Sequence, residues 1–137
     1  MSLNTPVAGP SRARWVLVIE DLRDQAELCL DVCTQAGLNA TAAATGAQGY
    51  KKACNTRPDL ILLDLMLPDM DGWDVCRQLR SDPLTSDIPI IVLTARDEPH
   101  GARRAREEGC AAYLRKPCSP ADLVATIKNV LNGKEGA

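Results

Sequence analysis

From Trp15 onward the chain alternates short, nearly unbroken apolar runs with longer segments in which apolar side chains recur at helical spacing. The runs are Trp15 to Ile19, Leu38 to Ala43, Leu60 to Leu63, Ile88 to Leu93 and Ala111 to Leu114. Five helical candidates follow them, at about Asp24 to Gln35, Ala47 to Asn55, Gly72 to Arg80, Gly101 to Glu108 and Pro120 to Leu131. The last has the clearest start, because Ser119 suits the N-cap, Pro120 the first helical position and Asp122 the capping box. Its Leu123, Ile127, Val130 and Leu131 share one face. Gly37 and Gly109 stand where a left-handed helix cap is wanted, and Pro58 separates the second helix from the third strand.

Strands whose apolar positions run on without alternation are buried on both faces, and strict strand–helix alternation makes their connections right-handed crossovers. The pattern therefore predicts an α/β fold, a doubly wound five-stranded parallel sheet with helices on both sides. Residues 1–14 hold two prolines and little periodicity and read as a flexible leader; 15–132 read as the single domain and 133–137 as a flexible tail.

Composition narrows the function. With 137 residues, 45% of them hydrophobic, there is material for one ordinary core and not two. A net charge of −2 and 3% aromatics, with no Phe, supply neither the basic face nor the stacking platform of a nucleic-acid binder. No apolar run reaches the roughly 18 residues of a membrane span, and the N-terminus lacks a signal-peptide pattern, so a cytoplasmic protein is expected. Cys29, Cys33, Cys54, Cys76, Cys110 and Cys118 lack C-x-x-C spacing and read as small core residues in a reducing compartment, not as a metal cage. Arg103, Arg104 and Arg106 adjoin Glu107 and Glu108, which fits a solvated helix face. Asp69-Met70-Asp71-Gly72 suggests a calcium loop only until it is aligned on Gly72, when Leu67 and Gln78 fall at ligand positions.

In doubly wound sheets the reactive groups stand at the carboxyl ends of the strands. Here the first run ends in Glu20-Asp21, the third in Asp64, the fourth in Thr94 and the fifth in Lys116-Pro117. Three carboxylates at close quarters repel by about 4 kcal/mol per pair at 4 Å and an effective dielectric near 20, so they call for a cation. Hard oxygen donors suit Mg²⁺ or Mn²⁺. Beside such an ion an Asp serves as nucleophile toward a phosphoryl group, while Lys and Thr bond the transferred oxygens.

These residues occur within motifs that resemble the receiver domain of two-component response regulators: Val18-Ile19-Glu20-Asp21, Leu62-Leu63-Asp64-Leu65-Met66-Leu67-Pro68, Asp71-Gly72, Leu93-Thr94-Ala95 and Tyr113-Leu114-Arg115-Lys116-Pro117, in family order from about Trp15 to Leu131. The resemblance implies a flavodoxin-like strand order 2-1-3-4-5 and Asp64 as phosphoacceptor. It implies a Mg²⁺ site of Asp21, Asp64 and the Met66 backbone carbonyl, with Glu20 acting through water. Lys116 and Thr94 would bond the phosphoryl group, Thr94 and Tyr113 would switch with phosphorylation, and the Lys116–Pro117 bond would be cis. A sensor histidine kinase or histidine phosphotransfer protein would be the donor, with an output partner that the sequence leaves unknown. Direct contact with nucleic acid or membrane is not expected, nor any enzymatic activity beyond the domain's own phosphoryl transfer and dephosphorylation.

Two other readings compete. A Mg²⁺-dependent Asp-nucleophile phosphatase of the haloacid-dehalogenase type would need an acid-base carboxylate two residues after Asp64, where Met66 stands. A phosphorylation-independent interaction domain would not need Glu20, Asp21, Asp64, Thr94 and Lys116 all intact.

Overall fold

The computed structural model describes residues 13–136. Ten elements alternate along it: β1 (Trp15–Ile19), α1 (Arg23–Gln35), β2 (Asn39–Ala43), α2 (Gly46–Thr56), β3 (Leu60–Leu63), α3 (Gly72–Ser81), β4 (Ile90–Thr94), α4 (Gly101–Glu107), β5 (Ala112–Arg115) and α5 (Pro120–Gly136). The strands form one parallel sheet in the order β2-β1-β3-β4-β5, as expected.

Each strand presents alternate side chains to two separate cores. Leu17, Ile19, Ile61, Leu63, Ile90 and Val92 pack with Ala53 of α2, Trp73, Cys76 and Leu79 of α3 and Ala105 of α4. Val16, Val18, Leu60, Leu62, Ile91 and Leu93 face the other way, against Cys29, Val32 and Cys33 of α1 and Leu123, Ile127 and Leu131 of α5. Burying one such Leu or Ile is worth about 2 kcal/mol relative to exposure, so β1, β3 and β4, apolar on both faces, form the rigid centre. The edge strand β2 (NATAA) is only half-buried over most of its length.

The Ser119 cap and the two glycine caps form as expected. Ser119 Oγ accepts from the Asp122 N–H at 3.1 Å, and Gly37 and Gly109 take φ of 86° and 83°. Arg57 and His100 also take left-handed φ, at the C-cap of α2 and the N-cap of α4, where no glycine marks the spot.

Several boundaries move. β4 begins at Ile90 instead of Ile88, because Pro89 has no N–H for the ladder; its carbonyl accepts from Ile61 N, while Ile88 N closes a turn onto Thr85. β5 ends on Arg115, one residue later than expected. α5 continues to Gly136, so residues 133–136, read as a tail, are helical; Gly133 costs about 1 kcal/mol in a helix but does not end one. Of the expected leader, residues 1–12 lie outside the described residues, while the Arg14 carbonyl already accepts from Asn39 N beside β1. Cys29, Cys33, Cys76 and Cys110 are buried as expected, whereas Cys54 and Cys118 are only partly so. Among the described residues no helix is long and apolar enough to cross a membrane.

Candidate functional site

Strand register assembles the site. Ile19 pairs with Leu63, so Glu20 and Asp64 leave adjacent strands side by side, and the Asp64 N–H donates to the Ile19 carbonyl at 3.0 Å. Thr94 pairs with Arg115, and the Lys116 N–H donates to the Thr94 carbonyl at 2.9 Å, which brings the lysine to the same end. The opening lies where β1 and β3 diverge toward α1 and α3, the switch point of the strand order. The Lys116–Pro117 peptide is cis, as the resemblance implied.

Asp64 is 6% exposed and Thr94 fully buried. Asp64 Oδ1 accepts from the Thr94 hydroxyl at 2.9 Å and from Met66 N at 3.0 Å, and Oδ2 accepts from Lys116 Nζ at 3.1 Å. Burial pushes this carboxyl up, but the Met66 N–H, Lys116 and Thr94 together outweigh it and hold Asp64 below the ordinary carboxylate range. Glu20, 4% exposed, accepts from Lys116 through Oε1 and from Leu22 N at 3.1 Å through Oε2. Here desolvation prevails over the lysine's hydrogen bond, and the Glu20 carboxyl is pushed up. For Lys116 burial pulls the ammonium down, yet its bonds to Glu20 and Asp64 keep it above its usual value. Lys116 also donates to Gln25 Oε1 of α1, a partner the sequence did not point to.

Asp21 stands apart from this cluster. Its side chain is exposed and lines an open depression with Met66, Asp71 and Arg96. Among the described residues no three carboxylate, imidazole or thiol side chains gather closely enough to hold a metal. The expected ring of three carboxylates is therefore drawn in only in part: the Lys116 ammonium bridges Glu20 and Asp64, and Asp21 stays at the rim. By donor type the residues fit a hard dication, since Asp21, Asp64 and the Met66 carbonyl are all oxygen donors and the cluster of two buried carboxylates and one ammonium keeps one net negative charge. The Met66 side chain, 56% exposed, offers no acid-base group beside Asp64.

One long-range contact and one local cap fix the loop between β3 and α3. Asp69 accepts from Gly46 N and Ala47 N at 2.8 and 2.9 Å, filling the N-terminus of α2, and Asp71 caps α3 through Trp73 N at 2.9 Å. Both aspartates of the apparent calcium loop are thus spent on helix ends. Across the opening Arg96 donates to Asp71 at 2.6 Å and to Glu98 at 3.2 Å, and its backbone N–H donates to Thr94 Oγ1 at 3.1 Å. Glu98 in turn accepts from the indole N–H of buried Trp73 at 2.6 Å, and the Arg104 guanidinium lies over that ring, 4.8 Å from its centroid. Arg104 is thus partly packed, with its side chain still 40% exposed, while Arg103 and Arg106 are solvated as expected. Tyr113 is half-buried, with its ring against Gly101, and its buried hydroxyl has no hydrogen-bond partner among the described residues.

Comparison with known proteins agrees with this geometry. Residues 16–128 match the family model described as the response regulator receiver domain. The chain is 39% identical over 118 residues to the phosphate regulon transcriptional regulatory protein PhoB of Pseudomonas aeruginosa, covering 86% of this chain and 52% of that protein. It is 38% identical over 120 residues to the alkaline phosphatase synthesis transcriptional regulatory protein PhoP of Bacillus subtilis, covering 88% and 49%. The chain thus spans about half the length of these relatives. Among solved structures it is similar to a CheY-like receiver domain protein of Methanospirillum hungatei, with a TM-score of 0.85 and 26% identity over 91% of this chain and 98% of that one. A putative response regulator of Chloroflexus aurantiacus gives a TM-score of 0.83 and 32% identity, covering 88% and 99%. With fold, strand-end chemistry and both kinds of likeness in agreement, the chain belongs to the response regulator receiver domain family and serves in two-component signalling.

Proposed function

We propose that this domain takes a phosphoryl group from a phosphohistidine of a sensor histidine kinase or histidine phosphotransfer protein onto Asp64, in the cytoplasm, and so alters a surface read by an output partner. The observation that carries this is the state of Asp64, a nearly buried carboxylate kept ionised between Lys116, Thr94 and the Met66 N–H. An ionised carboxylate is the form that attacks phosphorus, and low exposure limits competing water. Asp64 forms the new O–P bond as the P–N bond to the donor imidazole breaks. Lys116, already 3.1 Å from Oδ2, is within reach of an incoming phosphoryl oxygen, and Thr94 exchanges its bond to Oδ1 for a second one.

Asp21, Asp64 and the Met66 carbonyl would hold Mg²⁺, with Glu20 behind them through water; the ion supplies charge neutralisation to the transferring group. Glu20 is retained near this position by the Leu22 N–H. Thr94 and Tyr113 are the residues we assign to switching. Thr94 reports the phosphoryl group directly, and the unpartnered Tyr113 hydroxyl leaves that ring without a polar tie to its present position.

The test is intact mass after incubation with Mg²⁺ and phosphoramidate. Wild type is expected to gain one phosphoryl group only when Mg²⁺ is present, and Asp64→Asn to gain none. Labelling of Asp64→Asn to the wild-type level would remove Asp64 as the acceptor.

A further inference from the structure

A primary ammonium has three N–H donors, and Lys116 uses all three: on Glu20, on Asp64 and on the side-chain carbonyl of Gln25. The first two acceptors are carboxylates that change partners during the proposed cycle. Asp64 becomes an acyl phosphate, and Glu20 would act through water on a bound Mg²⁺. Gln25 does neither. It is neutral, it lies outside the donor set of the metal, and it sits in the first turn of α1, which is anchored to the sheet by buried Ala26, Cys29, Val32 and Cys33.

We propose that Gln25 is a positioning residue for phosphoryl transfer, holding the Lys116 ammonium on the α1 side of the site while its two carboxylate partners are given up. This rests on the reading of Asp64 as phosphoacceptor and adds to it a residue that acts through Lys116 without touching the phosphoryl group itself.

Charge and shape both favour an amide here. The two carboxylates and one ammonium leave one net negative charge for a divalent cation to meet, and a third carboxylate would add another. An apolar side chain would leave a lysine N–H in a site where Lys116 is only 15% exposed, and an unmet buried donor is costly. Gln25 and Lys116 both line the apolar groove between α1 and the segment after β5.

The experiment compares wild type, Gln25→Met, Gln25→Glu and Asp64→Asn. The rate of phosphorylation is followed against phosphoramidate concentration at saturating Mg²⁺, with Mg²⁺ affinity and melting temperature measured separately. Gln25→Met keeps the length of the side chain and removes the acceptor, so its maximal rate is expected to fall about tenfold, the size of one hydrogen bond to a charged group, with Mg²⁺ affinity near wild type and a melting temperature lowered by the unmet lysine donor. Gln25→Glu restores an acceptor oxygen at the same reach but adds a negative charge, and its rate is expected to lie between those of Gln25→Met and wild type. A wild-type rate in Gln25→Met overturns the proposal, and so does a parallel fall of rate, Mg²⁺ affinity and melting temperature in both variants, which would mark Gln25 as structural. Labelling of Asp64→Asn, or no labelling of wild type, overturns the phosphoacceptor reading and this inference with it. A wild type labelled on Asp64 beside an unaffected Gln25→Met overturns this inference alone.

Discussion

Lys116 is the side chain on which the resting site depends. Two buried carboxylates stand side by side at the ends of β1 and β3, and the ammonium between them is what keeps both in place. Removing one partner of a buried ionic cluster strands the others. Lys116→Met is therefore expected to lose about 3 kcal/mol of stability at neutral pH without metal, while still folding. The pH dependence gives the sign. In wild type the depressed Asp64 carboxyl contributes stability that is present above its ordinary value of 3.8 and lost as pH falls through its lower folded value. Without the lysine, burial and mutual repulsion push both carboxyls up, so the variant gains stability as pH falls from neutral. The gap between the two proteins should be widest near neutral pH, narrow toward acid, and narrow also on adding Mg²⁺. Thermal melts across pH check this, and a gap independent of both pH and Mg²⁺ would mean that packing of the lysine stem is what matters.

Among the elements, α4 is short and its seating on β5 depends on a small residue. A Cβ at Gly101 would lie 2.4 Å from the Tyr113 ring, so this glycine is what permits the ring to pack inward beneath α4. Gly101→Ala is expected to cost about 1–3 kcal/mol and to drive Tyr113 outward. In a Tyr113→Ala background the same substitution should cost almost nothing, because the atoms it meets are gone. Chemical denaturation of the four proteins in this cycle measures the coupling, and a penalty that survives without Tyr113 would locate the strain in the α4 backbone instead. Sequence reading found Tyr113 through its motif but had no means of finding Gly101. A glycine at the start of a helix resembles many others until the strand that packs against it is known.

At the scale of the whole molecule, one chain of contacts runs from the site into the core opposite α1. Thr94 meets Arg96, Arg96 bonds Asp71 and Glu98, and Glu98 holds the indole of Trp73, which is 1% exposed. If the loop after β4 rearranges when Thr94 bonds a phosphoryl group, Trp73 must sense it. Beryllofluoride with Mg²⁺ is expected to change the emission of wild type and of Trp15→Phe but not of Trp73→Phe, since Trp15 lies at the opposite end of β1 and is 46% exposed. A response in Trp73→Phe as large as that of wild type would break that link. The sequence by itself determined the order of ten elements, the burial of β1, β3 and β4 on both faces, and the polar residue closing each strand that bears on the site, because periodicity and strand-end chemistry are local properties. Glu20, Asp64, Thr94 and Lys116 were legible for that reason. Only the tertiary structure decided how they share charge. Glu20 and Lys116 are 96 residues apart, and the lysine's reach to Glu20, Asp64 and Gln25 at once follows from the register of four strands and the seating of α1. The ties of Asp69 to α2, of Arg96 to Asp71 and of Glu98 to Trp73 have the same origin. Each joins polar groups from segments whose separation in the chain carries no periodic signal, and their partners are chosen by distance in the fold.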